Sequence, residues 1–170
     1  MKKLVHAAVA ATLAAVAVGA HADEKLALRQ VKKYVDAVAC NVAEPGDDPN
    51  QWKTVTISKG DTEMGEMGAI YVVAWYADVG CAGGNGTQVL EFSVVEQSGF
   101  MAPGTSPVVS QQLKIPDINI VQLTSMTAKG GVLSIKGVIY GPNDEQYHPR
   151  KPVAYNFKYD AEERKFVAVK

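Results

Sequence analysis

The apolar positions of this chain change their period once. Leu28, Val31, Val35, Val38 and Val42 recur at steps of three and four residues, which places them on one stripe of a helix. Arg29, Lys32, Lys33 and Asp36 fall mostly on the other side. The spacing predicts a helix over 24–42. Asp23 is its expected N-cap, Glu24 suits the positive end of its dipole, and Cys40 falls in its last turns. The run Glu44-Pro45-Gly46-Asp47-Asp48-Pro49-Asn50 then stops the helix and makes a loop.

Beyond Trp52 the period falls to two. Residues 52–59 alternate, with Val55 and Ile57 on one face and threonines on the other. Residues 69–79 are apolar on both faces, the pattern of a central strand. Gly80 to Gly86 turns the chain into 89–97, where Leu90, Phe92 and Val94 are expected inward and Glu91 and Ser93 outward; the two strands read as a hairpin. Residues 98–107 carry Gly and Pro and read as loop. A second hairpin is expected from 118–127 and 132–140 around Lys129-Gly130-Gly131. A third joins 153–159 to 165–169 through the charged turn Asp160 to Arg164. The expected fold is α+β: an N-terminal helix packed on a single antiparallel β-sheet of about seven strands. No repeat or linker divides it.

The residues before the helix carry a different signal. Lys2 and Lys3 precede an apolar run over 4–18, closed by Ala20-His21-Ala22. This is the layout of a cleavable secretory signal peptide over 1–22, which leaves one secreted domain over 23–170 and no membrane anchor. No cysteine follows the cut to carry a lipid. Removal of 1–22 leaves 15 basic residues against 18 acidic, a net charge of −3. Dispersed acidic charge offers nothing to nucleic acid, which requires a basic patch. The expected location is the periplasm or the extracellular medium.

Export bears on the two cysteines. In an oxidising compartment Cys40 and Cys81 read as one disulfide, because neither has the neighbouring Cys or His that a zinc site needs. The alternative is a free thiol. Gly83-Gly84-Asn85-Gly86-Thr87 has the composition of a phosphate loop. It runs from strand to strand, however, and a phosphate loop runs from a strand into a helix N-terminus. A hairpin turn needing positive φ explains it better.

Catalysis has little to build on. His148 is the one histidine left after residue 22, and no Gly-x-Ser-x-Gly elbow is present. No carboxylate pair stands out among Glu63, Glu66, Asp78 and Glu91. The sequence points to no enzyme, no cofactor and no metal. The unusual segment is Tyr140-Gly141-Pro142-Asn143-Asp144-Glu145-Gln146-Tyr147-His148-Pro149-Arg150. It concentrates aromatics, acids, a histidine and a base in a loop, where binding residues gather. Tyr140, Tyr147 and Arg150 are the expected anchors, and Asn143, Asp144 and His148 the expected polar contacts. Its other reading is a Pro-Asn-Asp turn whose aromatics cover a sheet edge.

Tyr140-x-x-x-Asp144, then Pro149 and an alternating aromatic strand, resembles the C-terminal region of small exported bacterial lipoproteins of unknown function. The stretch covers 133–159 and lacks the adjacent cysteines those proteins often carry before the proline. The resemblance implies an envelope location and transfers no catalytic residue. The leading expectation is a non-enzymatic periplasmic binding or inhibitory protein that engages another envelope protein. The alternatives are a small-ligand or glycan carrier that stacks its ligand on Trp52, Trp75 and nearby tyrosines, and a hydrolase built on His148.

Overall fold

The computed structural model describes residues 19–42, 52–61, 68–83, 87–97, 106–145 and 148–169. Among them one helix, α1 (Gly19–Val38), precedes nine strands: β1 (Asn41–Val42), β2 (Lys53–Ser58), β3 (Ile70–Asp78), β4 (Val89–Glu96), β5 (Val108–Val109), β6 (Gln122–Lys129), β7 (Val132–Ile139), β8 (Lys151–Asp160) and β9 (Lys165–Ala168). Every pairing is antiparallel, and the strands form two sheets where one was expected. In the first, β1 and β2 share one edge of β3, β4 takes the other, and β5 pairs with the far end of β4. The second is a meander, β6-β7-β8-β9.

The reason for two sheets lies in β3. Its side chains are apolar on both faces and almost all buried. A single sheet with one helix would leave half of them in water, at about 1.5–3 kcal/mol for each large side chain. Here α1 covers one face: Ala27, Val31 and Val35 pack on Tyr71, Val73, Trp75 and Ala77. The second sheet covers the other, with Leu123, Met126, Leu133, Ile135, Phe157 and Phe166 facing Val55, Ile57, Ile70, Val72 and Val94. The three layers are helix, sheet, sheet.

The same layering corrects the expected outward face of β4. Ser93 is buried and its Oγ accepts a hydrogen bond from Trp75 Nε1 at 3.0 Å. Leu90, Phe92 and Val94 do face the core between the sheets.

The helix also ends earlier than its stripe predicts. Ala39 N still donates to Val35 O, but Cys40 N donates to Asp78 O at 3.0 Å, and Asn41 and Val42 pair with Asp78 and Ala77. The bond between Cys40 and Cys81, whose Cα atoms lie 5.2 Å apart, holds the chain against the end of β3. Pairing with that strand replaces the last helical turn, so Cys40 and Val42 lie outside the helix. At the other end α1 begins at Gly19, which puts Asp23 inside the helix and not at its cap. Glu24 instead reaches across to β2, where its Oε1 accepts from Thr56 Oγ1 at 2.7 Å.

The three expected hairpins are present. Gly130 and Gly131, both at positive φ, close β6 onto β7 in a two-residue turn that side chains would strain. Residues 118–121 precede β6 and lie outside it, although Val121 N donates to Val138 O. Gly137 makes that approach geometrically feasible: a Cβ there would stand 2.5 Å from both Gln122 O and Ile120 Cγ2. The sheets are tied together where Leu123 N donates to the Tyr76 hydroxyl at 2.7 Å, and at the surface by the ion pair of Arg164 with Glu96.

Candidate functional site

The loop over 140–150 joins β7 to β8. Its organiser is Asp144. One carboxylate oxygen, Oδ2, accepts from the amides of Gly141 at 2.8 Å and Arg150 at 2.7 Å. Asp144 N in turn donates to Gly141 O, and His148 N to Glu145 O. The amide hydrogen bonds of Gly141 and Arg150, with help from the Arg150 charge, hold the Asp144 carboxyl below its ordinary value. The Pro-Asn-Asp turn is therefore a closed loop stapled by its own acid.

Of the six residues expected to bind, Tyr140, Asn143, His148 and Arg150 are exposed on this loop. Asp144 is half-buried, with its carboxylate committed to the loop's backbone. Tyr147 lies outside the described residues.

The disulfide corner is organised in the same way. Asp78, 2 % exposed, accepts from Gly83 N at 2.9 Å and Ala82 N at 3.2 Å. The Gly83 amide is the main cause of its lowered pKa, and burial opposes it. Cys81 and Gly83 both have positive φ, as expected for a turn here. Residues 84–86 of the glycine-rich run, and Glu63 and Glu66, lie outside the described residues. Lys32 Nζ stands 5.1 Å from the ring centroid of Trp52, and Trp75 is 3 % exposed.

A second feature lies apart from the expected binding loop. A cavity of about 540 Å³ opens between the C-terminal half of α1, the first residues of β4 and the segment 109–118. Glu91 of β4 and Asp117 of the facing segment both line it. Burial pushes the Glu91 carboxyl above its ordinary value, and the Asp117 charge adds to the rise. Tyr34 also lines it, and Trp75, almost wholly buried, stands behind its wall. Glu91 stands directly opposite Trp75 in the β3–β4 ladder. One signal could have pointed to it: a strand apolar on both faces implies a covered neighbour, so an acid at position 91 sits beside a wall and not in open solvent.

Among the described residues no three His, Cys, Asp or Glu side chains are grouped to hold a metal ion, and no helix is long and apolar enough to cross a membrane. No family model, curated protein or solved structure matches the chain.

Proposed function

We propose that this chain is a non-enzymatic binding protein of the bacterial envelope that engages another envelope protein through the 140–150 loop, as an inhibitor does. One observation carries the reading: Asp144 accepts from the amides of Gly141 and Arg150 and so ties the two ends of the loop together, with Tyr140, Asn143, His148 and Arg150 exposed beside it. Loop ends tied together before binding lose less entropy on contact, and tyrosine and arginine are the side chains that anchor such contacts. Export is supported by the leader-like first 22 residues, by the Cys40–Cys81 disulfide and by the likeness of 133–159 to exported lipoproteins.

The test is capture from native envelope extract with the oxidised chain as bait. Wild type should retain one stoichiometric protein; a Tyr140→Ala, Arg150→Ala double variant should lose it, and Lys129→Ala, on a different turn, should keep it. Capture that survives the double variant removes the loop from the contact, and an empty wild-type lane removes the reading. The carrier alternative has the cavity itself in its favour, with Tyr34 on its lining, although Trp75 is almost wholly buried. Tryptophan fluorescence that glycan fragments leave unmoved would exclude it.

A further inference from the structure

The cavity beside β4 has an informative lining. Leu90, Glu91, Phe92, Ser93 and Val94 are consecutive, and all five line it. Successive side chains of a strand point to opposite faces. A single space that touches both faces must run along the edge of the strand.

The backbone supports this. Ser110 N donates to Val94 O, and β5 pairs only with Val95 and Glu96. The main-chain groups of Val94 therefore point away from β3. In an antiparallel ladder the direction alternates residue by residue, so the N–H and C=O of Leu90 and Phe92 point the same way. Among the described residues nothing pairs with them on that side. After Ser110 the chain draws away from β4, and 113–118 forms the opposite wall without joining the sheet. The result is a slot beside residues 89–93, about 16 Å of strand, with a strand edge on one side and a chain segment on the other.

We propose that this slot is a strand-addition site for an extended peptide segment of a partner protein that carries a lysine or arginine. The peptide bonds through its main chain to Leu90 and Phe92, and its cation lies between Glu91 and Asp117. Charge selects the occupant. Two carboxylates face the same space from opposite walls, and the charge acting on Glu91 is that of Asp117, although Lys114 also lines the slot. A cation entering between them relieves that repulsion and replaces lost hydration with a charge-assisted hydrogen bond. A second copy of this chain is the poorer occupant, because pairing β4 with β4 would bring two such acidic walls together; an inward-pointing acid on an edge strand commonly prevents that contact. The site is separate from the 140–150 loop and stands or falls without it.

The test is a displayed library of random peptides selected on the oxidised full-length mature protein, followed by hydrogen exchange and amide chemical shifts of the isotope-labelled protein. Enriched peptides should share a Lys or Arg within an alternating apolar sequence, and should shift and protect the amides of Leu90 and Phe92. N-methylation of the peptide at alternate residues should abolish binding. Glu91→Gln with Asp117→Asn should weaken it by roughly ten-fold and leave the β3 amides unmoved. Enrichment without a basic residue, binding that spares the Leu90 and Phe92 amides, or no enrichment would each overturn the proposal. So would shifts at those amides that grow with protein concentration alone, which would assign the edge to a second copy.

Discussion

The two sheets of this molecule are built on different terms. β3, at the centre of the first, is covered on both faces and pairs with β1 as well as with its sequence neighbours β2 and β4. β8, inside the second, buries Phe157 but exposes many of its other residues, and every strand of that meander pairs only with a neighbour in sequence. The first sheet needs outside help, from a helix, a disulfide and a second sheet. The second needs only one face covered. A truncation should therefore cost most in or around the first sheet and at the shared core, and least on the outer face of the meander.

The sharpest way to break that contrast is to remove the disulfide. It closes a loop with a sequence separation of 41, and Cys40→Ser with Cys81→Ser should lower stability by about 4 kcal/mol in the chain-entropy model. Urea denaturation measures this; a loss under about 1 kcal/mol would mean that α1 is already held by packing. Next, Leu133→Ala empties the core that both sheets share and should cost about 3 kcal/mol. Gly137→Ala forces Ile120 and Gln122 away from β7 and should cost about 1–3 kcal/mol; an unchanged midpoint would show that this contact yields freely.

Acid separates the regions by sign. Asp78 and Asp144 have lowered pKa values in the folded state, so their contribution is complete above the ordinary carboxylate range and is lost as pH falls through the lower folded values. Asp78→Asn or Asp144→Asn should flatten the decline of stability below about pH 4. Glu91 runs the other way. Its raised pKa means a penalty that appears as pH rises through the folded value. Glu91→Gln should raise the urea midpoint at neutral pH, with the gain gone near pH 4. A gain that persists in acid would assign it to packing instead of charge. The smallest effect is expected at Val167 on the exposed face of β9, where Val167→Thr should stay within about 0.5 kcal/mol.

Much of the contrast is legible in the pattern of residues. The doubly apolar run at 69–79 announces a central strand, the alternation in 52–59 puts Val55 and Ile57 inward, and the glycine pair at 130–131 places the turn. The disulfide follows from two cysteines behind a leader-like segment. The division into two sheets is not legible, because periodicity reports which face of a strand is buried and says nothing about which strand lies beside it. The end of α1 escapes for a related reason: Val42 fits the helical stripe, but a long-range pairing with Ala77 decides its conformation. In the loop, the turn chemistry of Pro142-Asn143-Asp144 is visible, whereas the reach of Asp144 to the Arg150 amide depends on the returning chain. The Glu91–Asp117 pair is invisible because its members come from β4 and from an irregular segment that only the fold brings opposite.

The hydrogen bond from Leu123 to Tyr76 carries one more consequence, for the order in which the molecule is assembled. A chain synthesised from its N-terminus presents α1 and β3 well before β6 to β9 have been made. During that interval β3 has one of its two covers, and the row Ile70, Val72, Ala74 and Tyr76 faces water. The meander, whose strand pairings are all between sequence neighbours, is expected to form quickly once synthesised, and its first strand then docks on Tyr76. Premature pairing of the waiting row with another nascent chain is thus the characteristic misfolding risk of this topology, and a chaperone that holds apolar strands would help most in that interval.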